Sequence, residues 1–131
     1  MRLYLLIALG GALGSVLRFF INGLIAPQVS DVDGWIPILV INVTGSFLIG
    51  LIFALTGPDG RWFASSATRL FLMTGICGGY TTFSSFSLQT LNLVRDGYVL
   101  RAGANVAGSV VLCLLGVWLG HVAGALLNQS R

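Results

Sequence analysis

Four long apolar runs, separated by short polar breaks and containing no acidic residue, constrain this chain more than any other feature. They cover residues of about 3–26, 35–56, 64–94 and 99–127, and a bilayer core of about 30 Å is crossed by roughly 20 apolar residues of helix. Seven Arg and four Asp, with no Lys and no Glu, make up only 8% of the 131 residues, a third of the roughly 25% usual in soluble domains. Hydrophobic residues reach 56% and the mean hydropathy is +0.92. A soluble enzyme of this size could not keep such a surface wet. Disorder, a nucleic-acid module and a disulfide scaffold each require charge, basic clusters or dense cysteine, which are missing here. The reading is an all-α membrane protein of four transmembrane helices in one domain, residues 1–131, in contact with the lipid bilayer and with no nucleic acid.

The first run is too long for the apolar core of a signal peptide, and Arg18 lies near its far end rather than before it. Pro37 falls in the first turn of the second run, where its missing N–H is harmless. Trp35, Trp62, Tyr98 and Trp118 lie towards run ends, as interfacial aromatics do. The third run is anomalous, because some thirty residues of helix would measure on the order of 45 Å. Its middle reads Gly75-Ile76-Cys77-Gly78-Gly79-Tyr80-Thr81-Thr82-Phe83. Adjacent glycines continue a helix poorly, so the sequence predicts a break near Gly78 and Gly79, buried in protein, with freed carbonyls suited to a cation.

Four spans put Arg2, Arg61, Arg69 and Arg131 on one side and Arg18, Arg95 and Arg101 on the other. Orientation follows an Arg and Lys imbalance, which this chain nearly lacks. Insertion in both orientations, and pairing of two opposed copies, are therefore expected. Small residues at four-residue spacing, Gly10 with Gly14, Ser46 with Gly50, and Gly116, Gly120 and Gly124, offer contact faces within one subunit or between two.

Polar residues at membrane depth are functional suspects. Here they are Asn42, Thr44 and Ser46, the cluster Thr81, Thr82, Ser84, Ser85 and Ser87, and Asn105 and Ser109. Asp31, Asp33, Asp59 and Asp96 all fall in connections, and the one histidine, His121, lies near the end of the fourth run, where an interfacial place suits it better than a relay. Cys77 and Cys113 read as small buried hydrophobes. Neutral donors without carboxylates suit an anion: amide and hydroxyl hydrogens replace its lost water and no fixed negative charge repels it. Phe83 and Phe86, three apart, share a helix face, and aromatic edges are positive. Spacing alone favours core packing for that pair. Asn42 serves equally well as an ion ligand or as interhelical glue. Arg18 either snorkels to the interface or gives a vestibule a positive potential.

Four stretches go further: Gly10-Gly11-Ala12-Leu13-Gly14-Ser15-Val16-Leu17-Arg18, Val40-Ile41-Asn42-Val43-Thr44-Gly45, the third-run segment from Thr74 to Ser87, and Gly108-Ser109. In order along all four runs, they resemble the bacterial CrcB/Fluc fluoride-channel family. The resemblance implies a passive fluoride channel of the bacterial inner membrane, working as an antiparallel, dual-topology homodimer with a structural sodium ion at its centre. It implies that Phe83 and Phe86 face the pore, that Asn42 helps to coordinate fluoride, and that Gly78 and Thr81 offer backbone carbonyls to sodium. Ser109 would belong to a polar track, Ser84 and Ser85 would flank the path, and Arg18 would sit at the vestibule. Three positions depart from the family pattern: Ile38 replaces a frequent hydroxyl, Gln89 a frequent acid and Cys113 a frequent Thr. A small proton-coupled multidrug exporter shares the four-span layout but needs an intramembrane acid. A non-transporting assembly subunit would use its polar residues as glue alone. None of these readings makes the protein an enzyme.

Overall fold

The computed structural model describes residues 1–130, which form helices and connecting turns with no strand among them. Arg131, counted above among the charges of one side, lies outside the described residues. In chain order the helices are α1 (Arg2–Ile25), α2 (Ile36–Thr56), α3 (Ser66–Arg69), a π-helical stretch (Leu70–Cys77), α4 (Gly78–Tyr80), α5 (Phe83–Arg95) and α6 (Val99–Gln129). Two single 3-10 turns, Ala26–Gln28 and Asp31–Asp33, connect α1 to α2.

Three helical stretches, Arg2–Gln28, Asp31–Thr56 and Val99–Gln129, are each long and apolar enough to cross a bilayer. The third apolar run is built differently. Its second part, α5, has 13 residues, about 20 Å at 1.5 Å per residue, and by itself falls short of a bilayer core. Its first part joins α3, the π-helical stretch and α4 without leaving helical geometry.

The interruption expected near Gly78 and Gly79 falls just beyond them. Both glycines are helical, and the chain leaves the helix at Thr81 (φ −81°, ψ 160°) and Thr82 (φ −153°, ψ 118°). Gly79, together with Gly75, serves close packing. A Cβ on Gly79 would lie 2.5 Å from the Gly11 carbonyl oxygen, and one on Gly75 would lie 2.9 Å from the Gly10 Cα. Glycine disfavours an isolated helix by about 1 kcal/mol, but here it lets α1 and the π-helical stretch approach backbone to backbone.

The same contact rule settles where the other small residues act. Cβ atoms on Gly10 and Gly14 would strike the main chain of the π-helical stretch and α4. Those on Gly50, Gly116 and Gly120 would strike the main chain across the α2–α6 seam, and one on Gly124 would strike the Ala54 side chain. All of these contacts are made within one chain, so the small-residue faces hold the subunit together.

Local signals explain the helix ends. The Ser65 side chain accepts from the Thr68 N–H at 3.2 Å and caps α3. Between α5 and α6, Gly97 adopts φ +84°; its N–H bonds Val94 O at 3.1 Å and the Tyr98 N–H bonds Leu93 O at 2.8 Å. These two bonds are the Schellman closure that favours glycine at this position. Arg101 pairs with Asp33 and so ties the α1–α2 connection to the start of α6. Large apolar side chains cover the outside, among them Phe19, Phe20, Leu100 and Leu114. Such a surface calls for lipid or protein around it, not water.

Candidate functional site

The interruption between α4 and α5 is held by side chains. Asn42, on α2, accepts from the Thr82 N–H at 2.8 Å through Oδ1 and donates to the Thr82 carbonyl at 3.0 Å through Nδ2. One amide thus bonds both main-chain groups of the residue at which the helix is interrupted. The Thr82 hydroxyl accepts from the Ser85 N–H at 3.2 Å and caps α5. It also lies within 3.2 Å of the Ser84 and Ser85 hydroxyls. On α4, Tyr80 reaches back to α2, with its hydroxyl 3.0 Å from that of Thr44.

Asn42, Gly78, Thr81, Thr82, Phe83, Phe86 and Ser109 line one cleft of about 490 Å³ together with Ser46, Cys77 and Cys113, and no charged side chain is among its lining residues. The Phe83 and Phe86 rings are 5.2 Å apart between centroids and tilted by 49°. That separation lies within the roughly 4.5–7 Å range of interacting aromatic pairs, and the tilt is midway between stacked and edge-to-face. Their surroundings differ. Phe86 is buried against Ile38, Ile41 and Tyr80, whereas Phe83 is 77% exposed at the cleft.

Behind the rings runs a chain of hydrogen bonds between α5 and α6. Buried Ser109 donates to Asn105 Oδ1 at 3.2 Å, Asn105 donates to the Thr90 hydroxyl at 2.9 Å, and Thr90 donates to the Phe86 carbonyl at 2.8 Å. Asn105 is 1% exposed, so these bonds spare a buried amide the roughly 1 to 3 kcal/mol that an unpartnered polar group costs. Thr90 was not singled out in the sequence. Its signal is the four-residue spacing after Phe86, matched by that of Asn105 before Ser109.

The remaining candidates separate. Arg18 and Ser85 line a second pocket of about 520 Å³ with Ser15, Asn22 and Gln89, and Ser84 lines neither. The first turns of α5 stand between the two, presenting Phe83 and Phe86 to the cleft and Ser85, Leu88 and Gln89 to the second pocket. Arg18 is partly buried there; among the described residues the one ion pair is that of Arg101 with Asp33. His121 is exposed, with its ring 6.0 Å from that of Phe53.

The carbonyls of Gly78 and Thr81 accept no hydrogen bond among the described residues. Free backbone oxygens are the donors that hard monovalent cations take in membrane proteins, so this pair fits a sodium ion. When bound, such an ion would supply positive charge to the interrupted helix.

Comparison with known proteins decides the family. The CrcB-like protein family, described as Camphor Resistance (CrcB), matches residues 5–121. The chain is 59% identical over 131 residues to the fluoride-specific ion channel FluC of Opitutus terrae, covering all of this chain and 98% of that one. It is 57% identical to the protein of the same name from Rhodospirillum rubrum (97% of this chain, 98% of that one). The FluC of Methylocella silvestris is 55% identical (98% and 97%).

The chain belongs to the CrcB family.

With that membership and its apolar helices, it is a multi-pass membrane protein. The three departures from the CrcB pattern fall in different places. Ile38 is buried in the core beside Phe86, Cys113 lines the cleft, and the Gln89 amide donates to the Gly34 carbonyl at 3.0 Å.

Proposed function

We propose that this protein is a passive, fluoride-selective channel that lets fluoride leave the bacterial cytoplasm across the inner membrane. The observation that carries the reading is the meeting of the Asn42 amide, the Phe83–Phe86 ring pair and Ser109 around one cleft without a charged lining residue, in a chain so similar to named fluoride channels. Fluoride is small and strongly hydrated, and taking it out of water costs many kcal/mol unless other dipoles replace the water. Asn42 Nδ2 has two hydrogens and Thr82 takes one; the other is a donor for the anion. The ring edges supply further positive dipole ends, while the Ser109 hydroxyl, whose one hydrogen goes to Asn105 Oδ1, adds a polar wall to the path.

The driving force is acid–base chemistry. Neutral HF enters by diffusion through lipid, ionises at cytoplasmic pH, and the anion leaves through the channel. Arg18, with Ser15, Asn22 and Ser85 around it, adds a positive potential that gathers anions at the mouth. The working unit is an antiparallel homodimer with two such pathways. Sodium is held at its centre by the Gly78 and Thr81 carbonyls, and a second copy doubles the oxygens that one copy offers. Proton-coupled drug export is disfavoured, because it needs an acid in the path.

The test is purified protein in liposomes loaded with fluoride and followed by an ion-selective electrode. Rapid fluoride release, unaffected by a proton gradient and with chloride retained, is expected; a held fluoride gradient, or preference for potassium, removes the reading. A C-terminal tag is expected to be reached by an impermeant reagent from both faces of the membrane. Labelling from one face alone removes the antiparallel pairing and leaves the cleft unaffected.

A further inference from the structure

We propose that Asn42 and Thr82 are positioning residues that keep the Gly78 and Thr81 carbonyls free for a cation, by capturing the two amide hydrogens that would otherwise close on them. The proposal rests on the sodium reading above. In an unbroken α-helix each N–H bonds the carbonyl four residues back. The ladder through α4 runs as far as Thr81 N–H to Cys77 O, at 3.0 Å. The next rung would join the Thr82 N–H to the Gly78 carbonyl, and the rung three residues on would join the Ser85 N–H to the Thr81 carbonyl.

Both hydrogens are diverted. The Thr82 N–H goes to Asn42 Oδ1 at 2.8 Å, and the Ser85 N–H goes to the Thr82 hydroxyl at 3.2 Å. The two carbonyls left behind accept no other hydrogen bond, and both residues, Gly78 and Thr81, line the cleft. In this chain Gly78 is exposed and Thr81 half-buried at the cleft, so both oxygens are reachable by an ion, and a hard cation is a natural partner for free backbone oxygens. Asn42 also fixes the Thr82 peptide from its other side, through the 3.0 Å bond to its carbonyl. Because Asn42 lines the same cleft as Phe83 and Phe86, one side chain serves both the anion path and the backbone that holds the cation.

The measurement is the thermal unfolding midpoint of the purified full-length protein during a sodium titration, with potassium holding ionic strength constant. Thr82→Ala releases the Ser85 N–H while Thr82→Ser keeps the acceptor. Asn42→Leu releases the Thr82 N–H while Asn42→Asp keeps an oxygen for it. Releasing one hydrogen is expected to raise the half-saturating sodium concentration about tenfold, the equivalent of one net hydrogen bond. The Ser and Asp variants are expected to stay within about threefold of the parent, less than half that free energy. Phe83→Ile, which removes an anion contact and neither acceptor, is expected to keep the sodium dependence of the parent.

A parent protein that sodium stabilises no better than potassium overturns the sodium reading, and this proposal with it. A sodium-dependent parent whose dependence survives in Thr82→Ala and Asn42→Leu overturns the proposal alone. So does a Phe83→Ile shift as large as that of Thr82→Ala. If Asn42→Leu does not fold, the Thr82 pair decides.

Discussion

Phe83→Ile is expected to abolish fluoride efflux from proteoliposomes and to leave the protein folded and assembled. Phe83 is 77% exposed in the single chain, so the substitution removes a ring from the cleft without opening the core. What is lost is an aromatic edge for an ion with few other partners. If that edge, and the ring geometry it sets with Phe86, lowers the barrier by about 3 kcal/mol, its removal slows passage by roughly 100-fold. Phe86→Ile is expected to abolish efflux as well, but it also disturbs packing against Ile38, Ile41 and Tyr80, at a cost of about 1 to 3 kcal/mol. Its unfolding midpoint should fall, whereas that of Phe83→Ile should not. Efflux at the parent rate in both variants would take the rings out of the mechanism.

Gly120→Val should prevent the protein from folding into a monodisperse form, with no measurable efflux. A Cβ at Gly120 would overlap the Phe47 carbonyl oxygen across the α2–α6 seam. Backbone cannot swing aside as a side chain can. The two helices would have to part along a line that also includes Gly50, Gly116 and Gly124, which exceeds the 1 to 3 kcal/mol typical of overpacking by a few atoms. Gly103→Ala is the matching control: its Cβ would meet nothing within 4 Å, and alanine in a helix is favoured over glycine by about 1 kcal/mol. Size-exclusion profiles and unfolding midpoints separate the two. Equal damage from both would mean that these glycines are not seam residues.

Much of this was readable in the residues themselves. Apolar runs without acids, Pro37 in a first turn and the absence of Lys and Glu are properties of the covalent chain, and they dictate helices in lipid whatever the packing. The chemistry of the cleft was readable for the same reason: Asn42, Ser109 and the Phe83–Phe86 spacing carry neutral dipoles wherever they end up. The division of α5 was less legible. Ser85 and Phe86 are neighbours in the chain, and only the seating of α5 against α6 sends one towards Arg18 and the other towards Asn42.

The position of the break could not be read locally. Gly78 and Gly79 are among the weakest helix formers in the third run, yet both stay helical, with Gly79 pressed against Gly11 of α1. The chain opens at Thr81 and Thr82, two residues with a higher helix propensity than glycine. It opens there because Asn42, forty positions earlier, offers both a donor and an acceptor to one peptide unit. Propensity acts through neighbours in sequence and amounts to about 1 kcal/mol, whereas an amide that completes two hydrogen bonds to the buried Thr82 and spares its two main-chain groups outweighs it. Which residues are polar, small or aromatic was therefore set by the sequence alone; which of them meet, and where the third helix parts, was decided by the packing of α1, α2 and α6 around it.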